Sequence, residues 1–140
     1  MSAYALIKDD LNADDILHLR LLNNLGIIYH YKGEFERALT FYLKTIKLYE
    51  KAKKIDRSDY SVCLNNIGNL YDDIGQTKIA IQYLEKGLSV VNSSNNVSTA
   101  TGLILHNLAF MYNTIGDYNQ SLKFIEESLL HTEKYLGLIP

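Results

Sequence analysis

Three asparagines recur at nearly equal spacing along this 140-residue chain. Asn24, Asn66 and Asn107 each end a Leu-x-Asn triplet, and they lie 42 and 41 residues apart. An asparagine amide has two N–H donors and a carbonyl acceptor, so it can pair with both the N–H and the C=O of an extended peptide. The alternative interpretation is a solvated polar helix face that binds nothing. Because asparagine is a poor helix former, its recurrence favours a shared role.

The other reactive side chains form no recognisable catalytic or metal-binding pattern. Cys63 is the only cysteine, which excludes an internal disulfide framework, and no basic residue at helical spacing would activate its thiol. The four histidines share no ligand spacing with one another or with Cys63. We find no Ser/His/Asp arrangement, no phosphate-binding glycine loop and no paired carboxylates in an apolar setting. The sequence therefore predicts a protein that is not an enzyme and that carries no cofactor or metal.

Composition and charge exclude several classes of partner. The chain has a net charge of −2 and is 21% charged, which gives no general electrostatic reason to bind nucleic acid or an anionic membrane. The densest basic cluster, residues 47–57, is interpreted as solvated charge at a helix end. No run approaches 18 apolar residues, and the N-terminus lacks the pattern of a signal peptide. We expect a soluble, cytoplasmic protein whose partners include neither nucleic acid nor membrane.

The asparagines belong to a unit that repeats three times. The stretches LNNLGIIY, LNNIGNLY and LHNLAFMY begin at residues 22, 64 and 105. A glycine follows four residues after the final tyrosine of each stretch, at Gly33, Gly75 and Gly116. These glycines open the stretches GEFERALTFY, GQTKIAIQYL and GDYNQSLKFI. A fixed period with this much agreement is the signature of a repeat architecture.

Each unit is predicted to be a helix, a glycine turn and a second helix. The first helices are predicted at 14–31, 59–74 and 98–115, and the second helices at 35–53, 77–92 and 118–136. Asn12, Ser58 and Ser98 are the predicted N-caps, and Asp117 with Gln120 forms a capping-box pattern. The glycines supply the positive φ that ends a helix.

The prediction for the whole chain is one domain over residues 1–140, with repeats at 14–53, 59–92 and 98–136. Within residues 3–11, the stretch AYALI aligns with Thr45–Tyr49 one period later. We interpret 3–11 as the remnant of a preceding second helix.

Small residues are predicted to let the two helices of a unit approach closely. The first helix carries Gly26, Gly68 or Ala109, and the facing slot on the second carries Ala38, Ala80 or Ser121. Leu22 and Leu25 share the buried side with Gly26. The tyrosines predicted to cover this contact are Tyr29, Tyr71 and Tyr112.

The order Leu-Gly-x-x-Tyr, Gly, Ala and then an aromatic or aliphatic residue resembles the tetratricopeptide repeat. The usual unit has about 34 residues, and the longer period is similar to that of kinesin light chains, LGN-type adaptors and bacterial peptide-sensing regulators. The resemblance implies an all-α fold, a right-handed superhelical α-solenoid of three helix-turn-helix units plus the remnant of a preceding helix. It also implies that the first helices line a concave groove, with the asparagines as a ladder along it.

In the subclass with this asparagine pattern these positions hold peptide ligands, so the resemblance implies a peptide-binding groove. The candidate peptide-binding residues lie on the first helices, away from the helix–helix contact: Asn24, Asn66, Asn107, Asn69, Arg20, Ile27, Tyr31, Asn23, Asn65, Asp73, His106 and Phe110. Val62 and Leu103 complete the neighbouring pockets. The predicted function is a protein–protein interaction module, an adaptor or scaffold, that binds an extended peptide or partner segment.

Two alternatives stay open at the level of sequence. The chain can be a structural, self-assembling segment of a longer array, or the sensor part of a larger regulatory protein. The third unit is not followed by a polar capping helix, which solenoids need over their last apolar face, and EKYLGLIP ends on apolar residues. This predicts a piece of a longer array or a homo-oligomer formed through exposed repeat ends.

Overall fold

A computed structural model of the chain describes residues 12–52, 54–93 and 98–140. These ranges form six α-helices and contain no β-strand: α1 Ala13–Tyr31, α2 Phe35–Lys51, α3 Arg57–Asp73, α4 Thr77–Asn92, α5 Thr99–Thr114 and α6 Tyr118–Tyr135. The predicted helices are thus present, with boundaries that differ by two residues at most. The predicted helix remnant at 3–11 lies outside the described residues. Among the described helices, none has the length and apolar character that crossing a membrane requires.

Two of the three predicted N-caps are correct. Asn12 caps α1 through a reciprocal box, because the Asp15 amide donates to Asn12 Oδ1 at 2.9 Å and the Asn12 amide donates to Asp15 Oδ2 at 3.1 Å. Ser98 caps α5 by accepting from the amide of Ala100. The prediction for Ser58 was wrong, because α3 begins earlier, at Arg57.

The residue that caps α3 is Asp56, whose Oδ1 accepts from the Asp59 amide at 3.0 Å. A carboxylate also favours the positive end of the helix dipole, so Asp56 competes well against the later Ser58. At α6 only half of the predicted box forms. Asp117 accepts from the Gln120 amide at 3.2 Å, whereas Gln120 Oε1 is buried without a hydrogen-bond partner.

The three predicted glycine turns have the same geometry. Gly33, Gly75 and Gly116 have φ of 77°, 83° and 83°. At Gly75 the glycine amide donates to the carbonyl of Asp72 at 2.9 Å, and the Gln76 amide donates to that of Tyr71 at 2.8 Å. This pair of bonds is the Schellman motif, which satisfies carbonyls left free at a helix end. Each turn therefore reverses the chain into an antiparallel second helix.

Small residues do bring the two helices of each unit together. A Cβ placed on Gly68 would collide with Leu84 Cδ1 and lie 3.2 Å from the carbonyl oxygen of Ala80. In the third unit Ser121 Oγ donates to the carbonyl of Ala109 at 2.7 Å, so the two predicted slots face each other. In the first unit the neighbour of Gly26 is Tyr42, one turn beyond Ala38.

The tyrosines that recur at one position of the three units each stack on an aromatic ring of the second helix. Tyr29 stacks on Phe41, Tyr71 on Tyr83 and Tyr112 on Phe124, with ring centroids 5.6, 5.4 and 5.5 Å apart and interplanar angles of 2°, 8° and 14°. The tyrosines are half-buried. Offset stacking adds to area burial, so the same aromatic pair closes the turn end of every unit.

Leu25 was expected in the core, and the structure leaves it 38% exposed. Ile67 and Leu108 occupy the same slot in the next two units and are fully buried. The difference arises because α3 packs against α2 and α5 packs against α4, whereas no preceding helix covers α1 within the described residues. The apolar face of α1 is therefore open.

The array curves with the first helices on its inner side. Helix α3 contacts both α1 and α5, whereas within the described ranges no second helix contacts another second helix. Neighbouring first helices are therefore closer together than neighbouring second helices. The inner surface consists of α1, α3 and α5, the helices that carry the asparagines.

Candidate functional site

A groove with a volume of about 600 Å³ runs across the inner faces of α1, α3 and α5. Seven of the twelve predicted binding residues line it: Ile27, Tyr31, Asn66, Asn69, Asp73, Asn107 and Phe110. The other five lie outside its lining: Arg20, Asn23, Asn24, Asn65 and His106. The groove therefore contains two of the three ladder asparagines and side chains from all three units.

The lining follows the repeat period and changes in character along each row. The row that contains Ile27 continues with Asn69 and Phe110, and the row that contains Tyr31 continues with Asp73. Because equivalent residues of successive units lie side by side in a solenoid, each row runs in the direction from α1 towards α5, and the row of Ile27 lines the groove on all three helices. A third row contains the ladder asparagines and keeps the same residue type in every unit. The rows of Ile27 and Tyr31 have a different type of side chain in each unit.

Each of the two ladder asparagines in the groove, Asn66 and Asn107, is held by an asparagine of the preceding unit. Asn66 Nδ2 donates to Asn23 Oδ1 at 3.2 Å, and Asn107 Nδ2 donates to Asn65 Oδ1 at 2.8 Å. The two acceptors are buried, with Asn23 8% and Asn65 2% exposed. In the doublet Asn65-Asn66 the two residues have different roles: Asn65 ties α3 to α5, and Asn66 reaches the groove. In the doublet Asn23-Asn24 the first residue ties α1 to α3, whereas Asn24 lies outside the groove lining.

These bonds also orient the groove amides. Each uses one N–H of Asn66 or Asn107 and leaves that side chain's Oδ1 and second N–H for another partner. A side chain held in one rotamer loses less entropy when it binds a ligand than a free one does. The buried asparagines position the ladder and do not themselves reach the groove.

The remaining predicted residues have other surroundings. Arg20 Nε and Nη2 donate to Asp59 Oδ2 at 2.9 and 2.8 Å, which ties α1 to α3 away from the groove. The hydrogen bond to Asp59 raises the pKa of this guanidinium. Asn24 and His106 are exposed, on the helices α1 and α5. Asn24 occupies the ladder slot of the first unit but lies outside the groove lining.

A histidine that sequence reasoning left without a role belongs to the groove. His30 Nε2 lies 2.6 Å from Asp73 Oδ2, and His30 Nδ1 lies 3.4 Å from the hydroxyl of Tyr42. With its proton on Nε2, the imidazole donates to Asp73 and accepts from Tyr42. Tyr42 is buried at the base of the groove, and burial raises the pKa of its hydroxyl. The chain Tyr42–His30–Asp73 therefore fixes one carboxylate at the groove wall.

A spacing in the sequence identifies this contact once the asparagine pair is known. Asn23 pairs with Asn66, and His30 and Asp73 each lie seven residues later on the same two helices. Residues seven apart lie on the same face of a helix, two turns along. The contacts Asn23–Asn66 and His30–Asp73 therefore join α1 to α3 in the same register. The seven-residue spacing is visible in the sequence, but it indicates the contact between His30 and Asp73 only when the partner of Asn23 is known.

The described side chains give no sign of reactive chemistry. Cys63 is buried against the core, and burial raises the pKa of its thiol to about 12, which keeps it protonated and unreactive. Among the described residues no group of three or more His, Cys, Asp or Glu side chains is placed to hold a metal ion. What the groove can do is hydrogen bond through fixed amides and accept apolar or charged side chains.

Comparison with known proteins agrees with this architecture. Two family models, both described as tetratricopeptide repeat, match residues 17–93 and 101–138. A clustered mitochondria protein homolog of Aspergillus fumigatus is 26% identical over an alignment of 128 residues that covers 87% of this chain. The chain spans about 10% of the length of that relative.

Two solved structures are similar in fold. Aspartyl phosphate phosphatase F from Bacillus subtilis superposes with a TM-score of 0.78 at 15% identity, over 88% of this chain and 32% of its own. A putative kinesin light chain of Podosopora anserina with nearly identical TPR-like repeats gives 0.72 at 16% identity, over 90% of this chain and 60% of its own. At these identities the likeness concerns the fold.

Proposed function

The chain belongs to the tetratricopeptide repeat family, and we propose that it is a protein–protein interaction module whose inner groove holds an extended segment of a partner protein. In this proposal Asn66 and Asn107 pair with the partner's backbone, while the rows of Ile27 and Tyr31 receive its side chains. Asn24 provides the third rung where the segment extends beyond α3. The chain itself carries out no chemistry and acts as an adaptor or scaffold segment.

One observation carries the proposal: hydrogen bonds within the protein itself orient the two ladder amides in the groove. Asn23 and Asn65 are buried acceptors that hold Asn66 and Asn107 in place. A polar helix face that is merely solvated needs no such support, because its side chains hydrogen bond to water in any rotamer. Pre-oriented amides that point into a groove are what recognition of an extended backbone requires.

The similar proteins suggest a setting for this module without defining it. The relatives named clustered mitochondria protein homolog are about ten times longer than the matched region, so an interaction segment within a longer scaffold protein is one setting we propose. A cytoplasmic location is part of the same proposal.

The experiment that tests the proposal compares capture of partners by matched variants. Immobilised wild-type chain and an Asn66→Ala/Asn107→Ala variant are exposed to the native lysate, and captured proteins are quantified by mass spectrometry. We expect specific partners to be lost by about tenfold or more, because two backbone-pairing amides are worth about 1 kcal/mol each. The matched control is Asn119→Ala, an exposed asparagine on the outer helix α6.

A second variant protects the test against a folding defect, because removing Asn107 leaves the buried Asn65 without its partner. Phe110→Ala trims an exposed groove side chain and breaks no asparagine pair. We expect it to lose the same partners while its circular dichroism and melting temperature stay unchanged. If both groove variants retain every partner that the control retains, the groove is not the binding site.

We propose a second role, end-to-end contact between copies, on a different observation. The apolar faces of the first and last helices are both open: Leu25 on α1, and Leu122, Ile125 and Leu129 on α6, are exposed. The equivalents of these α6 residues on α4 lie at the α4–α5 contact, where Ile81 and Leu84 are buried. An α6 face packed on the α1 face of a second copy would repeat that internal contact.

Light scattering on size-exclusion fractions over two decades of concentration tests this role. We expect mass to rise with concentration for the wild type and to stay monomeric for Ile125→Glu or for Leu25→Glu alone. A mixture of these two variants should form dimers, because each retains one of the two different faces. The control is Asn119→Glu, which adds the same charge elsewhere on α6. A wild type that stays monomeric throughout would refute the role.

A further inference from the structure

The groove has a one-sided distribution of charge. Asp72 and Asp73 contribute carboxylates at the end of α3, and none of the described residues that line the groove is a lysine or an arginine. His30 is the remaining titratable base in the lining, and its Nε2 is already engaged by Asp73. A ligand carboxylate or phosphate would therefore meet negative charge and no free cation. Charge complementarity selects against acidic ligands at this surface.

Asp73 has room for a second partner. Its side chain is 55% exposed, and His30 occupies Oδ2 only. With the proton on Nε2, His30 donates one hydrogen bond and leaves the carboxylate its charge. Asp72 has a different hydrogen-bond partner, since its Oδ1 accepts from the hydroxyl of Thr77 at 2.7 Å. Asp73 is therefore the carboxylate that is both oriented by the protein and open to a ligand.

Aromatic side chains flank this carboxylate on both sides of the groove. Tyr31 on α1 is 88% exposed and occupies the slot that Asp73 occupies on α3. Phe110 on α5 is also largely exposed, and Phe35 at the start of α2 lines the groove and packs edge-on against His30 of α1, with ring centroids 5.9 Å apart. Large aromatic rings exposed within a concave surface are suited to the apolar stem of a long cationic side chain, and ring faces attract the cation itself.

We propose that the segment bound in the groove carries a lysine or arginine whose cation pairs with Asp73 while its stem lies between Tyr31 and Phe110. The inference rests on the proposed peptide-binding role of the groove and adds to it the class of ligand. The ladder amides hold the backbone, and Asp73 with its aromatic neighbours selects the side chain.

A random decamer peptide library, acetylated and amidated so that no terminal charge is present, tests the inference. The library is panned on the wild type, on Asp73→Asn, and on Glu126→Gln, which removes the same charge from the exposed face of α6. Asp73→Asn retains an oxygen that can accept from His30, so the contact between α1 and α3 persists. We expect lysine or arginine to be enriched at one position of the peptides that the wild type and Glu126→Gln select.

For a synthesised peptide of the selected group, Asp73→Asn is expected to weaken binding about five- to tenfold, the value of a partly exposed charged hydrogen bond. Replacing the basic residue of that peptide by glutamine should weaken binding to the wild type equally and leave binding to Asp73→Asn unchanged. Peptides selected without a basic residue, yet dependent on Asn66 and Asn107, would overturn this inference alone. A library from which nothing is selected through the groove would overturn both this inference and the proposed function.

Discussion

Asn107 Nδ2 donates to Oδ1 of Asn65 at 2.8 Å, although the two residues belong to successive units. The acceptor is buried between α3 and α5, and the donor lies in the groove. One bond therefore joins the stability of the array to the geometry of its proposed binding surface. A change in either residue should register in both.

Alanine at Asn65 or Asn107 is expected to lower the free energy of unfolding. Asn107→Ala leaves the amide of Asn65 buried without its partner, which costs about 1–3 kcal/mol, and Asn65→Ala removes the acceptor. The double variant should be less destabilised than the sum of the single variants, with a coupling of about 1 kcal/mol. Urea unfolding followed by circular dichroism measures the stability of the two single variants and the double variant.

Asn24→Ala, at the exposed ladder slot, is the control and should change stability by less than about 0.5 kcal/mol. Additive single effects would contradict the bond.

Two helical glycines should respond to alanine in opposite directions. At Gly68 the new Cβ collides with Leu84, so overpacking of about 1–3 kcal/mol exceeds the gain of about 1 kcal/mol in helix propensity. At Gly102 the nearest atom is His131 Cδ2 at 3.3 Å, a contact that a shift of a few tenths of an ångström would relieve. Gly102→Ala should therefore be neutral or stabilising. Melting temperatures of the two variants decide the matter, and a stabilising Gly68→Ala would show that the helices do not approach this closely.

The loss of stability on substituting the turn glycine Gly75 is expected to depend on backbone conformation alone. Its φ is 83°, and a Cβ there would meet nothing within 4 Å, so no clash contributes. Gly75→Ala should cost about 1–2 kcal/mol, and Gly75→Asn less, because asparagine enters the left-handed region more readily. Chemical unfolding of both variants gives the ranking. Equal stability of the alanine variant and the wild type would exclude the left-handed turn.

Cys63 should be protected from thiol reagents in the native state. Because burial raises the pKa of the thiol to about 12, its reaction with a disulfide reagent near pH 8 should follow the rate or extent of unfolding. The pH dependence has a definite sign. A pKa raised above the unfolded value of about 8.5 stabilises the fold fully below that pH, and this contribution is lost as the pH rises towards 12.

The measurement is unfolding free energy from pH 8 to mildly alkaline pH, compared between the wild type and Cys63→Ala. The wild type should lose up to about 1.4 kcal/mol more per pH unit above the unfolded pKa than the variant does. Cavity formation in Cys63→Ala shifts both ends of the series equally, so the difference in slope isolates the thiol. Parallel slopes, or fast labelling of the native protein, would show that the thiol is accessible.

Much of this fold follows from local chemistry that the sequence displays. The turn at Gly75 depends on four or five neighbouring residues, and only glycine adopts its φ without cost, so the pattern predicted it correctly. The helices follow from the 3.6-residue period, and the repeat shows that one solution serves three times. The N-cap of α3 was missed because Asp56 and Ser58 are both good caps, and the choice between them depends on where packing begins the helix.

The functional assignment of the asparagines was determined less by sequence than by packing between units. Asn65 and Asn66 have the same side chain and adjacent positions, and local propensity does not distinguish them. Tertiary structure does, because the first faces the next unit and is buried while the second turns to the groove. The bond between His30 and Asp73 could be identified only once the partner of Asn23 was known, since it joins residues 43 apart on two helices whose register is set by the core.

The helices, their glycine turns and the repeat could be predicted from the sequence alone, because each depends on interactions within one unit. The contacts across units could not: they include the buried asparagines that hold the ladder and the bond that orients Asp73, and the lack of such a contact leaves Leu25 exposed. Contacts between units depend on the register and spacing of neighbouring helices. That register results from the burial of many side chains at once and is carried by no single stretch of the chain.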